Sequence, residues 1–411
     1  MFISEHHTIR HRFFAWLLEH RSLVMTAAAF GTAVGIAGAA RVRIDVDVEQ
    51  FIPTRGTARA TYDEYKSAFS KEDSRYSVFW QSREEPGAAL FTELERIAAR
   101  MEAVGLEDVQ WIGGVDVADH IEYDGERTLQ MRPLIEPDSV TDEYVARVLD
   151  EYRSDALYSG YLWNADQSVF AVHGHLPDSW NHDTKRQDVD DALTASLDSL
   201  SGAGARMALS GIPVFRSRSP RLLQQDITVL LGGGLVIAFG LLWLALGRVR
   251  LVWLCLASVV PGYLCTLGVM GLVEKPITML TSFIPIIIIV VGVSDSIHIV
   301  QRFQYAAQRS SGPDTIIATF ADMAGPCFFT SLTTAVGFAS LMGTRIGIMV
   351  DFGLFTALAI LLTYAFSMTL LPILLAMFGS AALTSSPRAL FGGVVATAVR
   401  HAARPTPVLT A

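Results

Sequence analysis

ITMLTSFIPIIIIVVGVSDSIHIV, residues Ile277–Val300, reads as a membrane-spanning segment with a single side chain ionised at neutral pH, Asp295. A charge at the centre of a spanning helix costs about 2.5–3.5 kcal/mol on insertion scales, so it persists where it conducts ions, meets a partner or holds a ligand. His298 follows three residues later on the same helix face, and Ser294 and Ser296 flank the acid. Histidine titrates near neutral pH unaided. An acid, a histidine and hydroxyls on one spanning helix are the parts of a proton relay. The plainer alternative is a polar cluster that only holds helices together.

Outward from this stretch, apolar runs of about 20 residues predict six spans: Leu23–Ala40, Ile227–Leu246, Leu251–Leu272, Ile277–Val300, Gly325–Met342 and Phe352–Phe378. Hydrophobic residues make up 51% of the chain, which places it in the membrane class. The expected fold is an α-helical membrane protein of 1 + 5 transmembrane helices, with an α/β extracytoplasmic domain inserted between the first and second. The predicted parts are a cytoplasmic segment over residues 1–22, a first helix over 23–40, the outer domain over 41–226, a five-helix block over 227–378 and a cytoplasmic segment over 379–411.

Basic residues in the short loops set the orientation. Arg10, Arg12, Arg21, Arg248, Arg250, Arg302, Arg309, Arg388, Arg400 and Arg404 lie on one side, and only Lys275 and Arg345 on the other. Both termini are therefore expected in the cytoplasm. A secretory signal ending at Ala37-Gly38-Ala39 is the alternative for the first span, but cleavage there would misplace a terminus.

The formal charge of −9 belongs to the outer region, where 34 acidic residues face 20 Lys and Arg between Arg41 and Asp226. An acidic surface excludes nucleic acid as a partner. The three cysteines, Cys255, Cys265 and Cys327, all fall in predicted spans, so the outer domain is expected to hold together without disulfides.

Within that domain the periodicity predicts strands at Arg75–Ser82, Val109–Ile112 and Thr128–Leu134, with a helix over Pro86–Gly105. A second round follows: a helix near Val140–Ser154, strands near Leu157–Trp163 and Ser168–His175, a helix near Thr184–Leu200 and a strand at Arg206–Ser210. Two such helix-and-strand units suit ferredoxin-like subdomains. His173 and His175 alternate on one strand without a supporting ligand set, which reads as a surface strand and not as a metal site. Asp45, Asp47 and Glu49 alternate with Ile44, Val46 and Val48 as a half-buried strand, not a calcium loop.

The fifth span holds a second polar set, Thr330, Ser331, Thr333 and Thr334, with Thr330 and Thr334 on one face. Threonine in a span often bonds only its own helix backbone. Gly31 and Gly35 are expected to let helices approach. No phosphate-binding loop, HExxH, paired CxxC or nucleophile elbow appears, so neither an enzyme nor a cofactor is expected. An ion gradient is the natural energy source.

The 1 + 5 layout, GVSDSIH at Gly292–His298, GPCFFTSLTTAVGFASL at Gly325–Leu341 and the run Phe352–Leu375 resemble the resistance–nodulation–division superfamily. Within it the chain is most similar to exporters of lipids and hydrophobic molecules, such as the mycobacterial large membrane proteins and hopanoid transporters. Sterol-sensing-domain proteins share the five-span block. Gly211-Ile212-Pro213 ahead of the second span also fits. The resemblance implies a proton-driven exporter in a bacterial inner membrane, moving hydrophobic or lipid-like molecules outward. Asp295 would be its proton carrier and His298, Ser294, Ser296, Thr330 and Thr334 its relay. Where relatives often carry Tyr or a second acid after the aspartate, this chain has Ser296.

Family members usually contain two such halves. The end of this chain, Arg400–Ala411, resembles the approach to another first span, as Glu19–Ala27 does, so the expectation is an N-terminal half. A natural half that pairs with a second copy is the alternative. The rival functional readings are a lipid-sensing protein that binds without pumping and an auxiliary subunit of protein export.

Overall fold

The computed structural model describes residues 2–46, 48–68, 73–81, 86–123, 126–136, 140–200, 206–310 and 312–378. The described residues are mostly helical, with two small antiparallel sheets. It divides into two compact units, Met1–Arg59 with Leu223–Ala411, and Ala60–Leu222.

In the first unit, α1 (Phe2–Glu19) and α2 (Arg21–Ala39) lead through a short 3-10 turn at Val48–Phe51. A polar helix, α3 (Thr57–Ala68), comes next in the chain. α7 (Ile212–Leu246) begins in the second unit and ends in the first, and α8 (Val249–Leu272), α9 (Ile284–Ala307), α10 (Pro313–Ala339) and α11 (Gly347–Phe378) follow it. Among the described residues, six helices are long and apolar enough to cross a membrane: α2, α7, α8, α9 with its preceding turn, α10 with its following turn, and α11.

Helix α11 packs against α8, α9 and α10, while α2 packs along α8. α7 stops at Gly247, whose φ of +68° is the left-handed conformation that favours glycine after a helix. Two of α7's terminal carbonyls, at Ala245 and Leu246, accept from Gln301 and Gln304 of α9 at 3.4 and 3.1 Å. These are the carbonyls that a helix end leaves without an internal partner. α1 docks through buried Phe14 against Phe320 of α10 and leaves Ile9, Phe13 and Trp16 exposed.

The spans shift from their predicted limits. Ile277–Phe283 is not helical from its start: Ile277 bridges Ile44, Thr278 and Thr281 bond each other, and α9 begins only at Ile284, with Pro285 in its first turn. α10 starts twelve residues earlier than predicted, at Pro313, because apolar and polar residues at helical spacing continue beyond the apolar run. Of the two glycines expected to let helices approach, Gly35 does and Gly31 does not, and Gly38 joins the contact. Gly31 has open space where a side chain would go, whereas Gly35 and Gly38 of α2 face Cys265, Gly268 and Gly271 of α8 backbone to backbone.

The second unit contains β1 (Arg75–Gln81), α4 (Ala88–Ala103), β2 (Glu107–Gln110), β3 (Asp116–Tyr123), β4 (Glu126–Pro133), α5 (Asp142–Glu151), β5 (Val169–His175), α6 (Asp183–Asp198) and β6 (Arg206–Ser210). One antiparallel sheet runs β2-β5-β1-β6, with Val78 opposite Val172 on one side and Leu209 on the other. β3 and β4 form a separate hairpin. Leu90, Leu94, Ile97 and Met101 of α4 and Val189, Leu193 and Leu197 of α6 share a core with Tyr76, Val78 and Trp80.

Two strand expectations fail. Leu157–Trp163 is a series of turns: Ser159 N–H donates to the Asp155 carbonyl at 2.8 Å, and Gly160 sits at φ +85°. Its apolar residues are spaced for a turn, burying Tyr158 and Leu162 together. The alternation from Ile44 makes one bridge to Ile277 and then coils at Val48, within a segment whose Asp47 lies outside the described residues. The histidine strand is buried, not surface: His173 is 4% exposed.

Asp190 of α6, 3% exposed, receives two hydrogen bonds of 2.9 Å from Arg218, which also bonds Thr194. Arg218→Met leaves that carboxylate buried without its cation, and is expected to destabilise this unit by about 2 kcal/mol. Asp191 and Arg221 also pair, and the Arg221 guanidinium holds the Asp191 carboxyl below its usual range, but both are exposed. Arg221→Met is therefore expected to leave the unfolding midpoint unchanged. Denaturation of the full protein in detergent compares the two; equal losses would contradict the assignment.

Candidate functional site

Asp295 lies on α9 with its side chain turned into the helix bundle, 7% exposed. The Ser331 hydroxyl of α10 donates to its Oδ2 at 3.1 Å. One turn earlier Gly292 carries no side chain, so Val259 of α8 and the Thr363 methyl of α11 close in there. Gly262 of α8 likewise lies against the hydroxyl and backbone of Thr363. The sequence GVSDS thus seats the carboxylate where three helices converge: glycine admits the neighbours and serine supplies hydroxyls.

The residues singled out from sequence separate into two groups. Ser296 is fully buried beside the Cys255 thiol of α8. Ser294 and His298 are exposed, and with Val290 they form an outward stripe at four-residue spacing. Thr330 donates to the Cys327 carbonyl at 2.9 Å and Thr334 to the Thr330 carbonyl at 2.8 Å. Both threonines bond their own helix, and neither reaches Asp295. Ser331, between them, does.

Further polar groups line α11. Thr356, Thr363 and Ser367 are at most 1% exposed, and their hydroxyls make no hydrogen bond among the described residues. By contrast Ser258, Thr266 and Thr319 of the neighbouring helices bond back to their own carbonyls. Tyr364 donates to the Ala324 carbonyl of α10 at 2.9 Å, within electrostatic reach of Asp295 and of Arg10 on α1. The α11 hydroxyls could not be found from apolar-run counting, because serine and threonine do not interrupt a hydrophobic window.

Away from the spans, His173 Nε2 donates to the Tyr161 carbonyl and its Nδ1 accepts from Ser77, each at 2.8 Å. With both ring nitrogens engaged, it serves the strand packing. Among the described residues no group of three or more His, Cys, Asp or Glu is placed to hold a metal.

Residues 143–408 match the MMPL family, a family of resistance–nodulation–division type. The chain belongs to the MMPL family. A protein of Methanocaldococcus jannaschii, itself named only as a membrane protein, is 24% identical over 215 residues, covering 52% of this chain and 55% of the relative. The chain therefore spans about half the length of the curated relative that it matches. The MMPL match includes α5 to α11, and so contains Asp295, Ser331 and the α11 hydroxyls.

Proposed function

We propose that this MMPL chain is part of a secondary transporter of the resistance–nodulation–division type, driven by a proton gradient and moving hydrophobic or lipid-like molecules outward across a bacterial inner membrane. The observation that carries the reading is the buried Asp295 with its Ser331 hydrogen bond, on a helix otherwise built for lipid. Asp295 is the proton carrier. Protonation removes its charge and so biases two packings of α9, α10 and α11.

The arrangement is read as 1 + 5 spans, with both termini cytoplasmic. The sheet order β2-β5-β1-β6, with α4 and α6 as crossovers, supports a ferredoxin-like subdomain outside the membrane. The outward stripe Val290, Ser294 and His298 is the side on which a second 1 + 5 half, in the same polypeptide or in a second copy, would bring a partner toward Asp295.

Membrane vesicles holding the complete gene product, loaded with a fluorescent acyl-chain amphiphile, test the reading. Movement of the probe that a protonophore stops is expected. Saturable binding indifferent to the gradient would replace it with a lipid-sensing protein. Ser331→Ala removes one hydrogen bond to a charged group, about 1.5 kcal/mol or roughly tenfold in rate. Ser331→Thr is expected to keep most of it and Thr330→Ala to cost less, in the same vesicle assay.

A further inference from the structure

At one end of the membrane helices of the first unit lies a cleft of about 740 Å³, lined by Thr54, Arg55, Lys275, Met342, Arg345 and Asp351 among others. Its walls are fixed by backbone pairing. Thr54 N–H and its hydroxyl both donate to the Arg345 carbonyl, at 2.8 and 3.1 Å, and Pro53 bridges Ile346. This stitching sets Arg55 beside Arg345 in one cleft. Gly56, next in the chain after Arg55, has φ +108°, and a side chain there would touch the Arg345 guanidinium.

The charges do not balance. Lys275 and Asp351 pair at 2.8 Å and neutralise each other on one wall. Arg55 and Arg345 have no ion pair among the described residues. Two like charges held together by backbone geometry repel unless an anion lies between them. Guanidinium groups favour phosphate and carboxylate, which they bind bidentately. Gly347, the first residue of α11, adds the positive end of a helix dipole to the same cleft.

The cleft also has an apolar lip. Met342 is 45% exposed at its edge, and Val350 lines it. Leu272 and Val273, at the end of α8 just ahead of Lys275, are exposed as well. A free inorganic anion has no use for such a rim, whereas a molecule with an acyl chain does.

We propose that this cleft binds the anionic headgroup, phosphate or carboxylate, of an acyl-chain amphiphile. The assignment is independent of export, because a resident bilayer lipid and a transported one present the same headgroup.

The test uses the full chain purified in neutral detergent, with short-chain phosphatidylglycerol and phosphatidylcholine of equal chain length as probes. Saturable binding of phosphatidylglycerol, about tenfold or more tighter than phosphatidylcholine, is expected. Arg55→Gln with Arg345→Gln should remove that preference. Arg55→Lys with Arg345→Lys should restore part of it, which separates loss of charge from loss of fold. Arg250→Gln, in the first turn of α8, should leave it intact. Equal affinity for the two lipids, or an unchanged preference in the double Gln variant, overturns the proposal. Full displacement by millimolar inorganic phosphate overturns the amphiphile assignment in favour of a free anion.

Discussion

Asp295→Asn is expected to stop export while leaving the amount of protein in the membrane unchanged. The asparagine side chain has the same shape and keeps a carbonyl oxygen to accept the Ser331 hydrogen bond, so the packing at Gly292, Val259 and Thr363 is retained. It also removes a carboxylate whose burial in a spanning helix is costly, which spares the folded protein a penalty. What it cannot do is take up and release a proton. Loss of a proton-transfer group costs on the order of a hundredfold or more in rate, so export should fall to background. Abundance by immunoblot and melting in detergent serve as the folding controls. Undiminished export would remove Asp295 from the mechanism and favour a purely structural role. Asp295→Leu, which loses the Ser331 partner as well, separates the two effects: it should lower both export and melting temperature.

Much of this was legible in the sequence, and the exceptions have physical reasons. A run of 20 apolar residues locates a span because lipid leaves a helix few alternatives, and each of the six helices overlaps its predicted run. Ends were less legible. A helix continues past the lipid into water without changing its backbone, so the composition marks the bilayer and not the helix, as the starts of α7 and α10 show. The strands β1, β5 and β6 appear where alternation and β-branched or aromatic residues coincide, but Leu157–Trp163 mimicked that pattern with residues gathered by turns. α1 and α3 were missed because their apolar residues are too few for a hydropathy window.

The site was half legible. Asp295 stands out because a charge among isoleucines has few innocent explanations. Choosing its partner needed rotation as well as spacing: Thr330 and Thr334 share a face, but successive residues on a helix are about 100° apart. That single step hands the contact to Ser331. The buried hydroxyls of α11 were invisible to pattern reading, since nothing in Thr356, Thr363 or Ser367 distinguishes them from threonines that bond their own helix.

Gly271→Ala should be the most damaging single methyl in the membrane part of the chain. A side-chain carbon at Gly271 would point into the Gly38 carbonyl, and one at Gly38 into Gly268. In each case the obstacle is backbone, which cannot rotate away as a side chain can. The helices α2 and α8 can accept the added atom only by moving apart, and that gives up the close packing on which association of helices in lipid depends. Overpacking of this kind costs about 1–3 kcal/mol, and a rigid obstacle on both sides places the expected loss at the upper end. A lowered melting temperature in detergent and a lower yield from membranes are the readouts. The matched control lies on the other helix of the pair, α2: Gly31→Ala meets nothing within 4 Å and should leave both unchanged. Gly232→Ala in α7, also in open space, provides a second. If Gly271→Ala and Gly31→Ala melt alike, the α2–α8 contact does not have the close backbone approach described, and the first span is held by something other than its glycines.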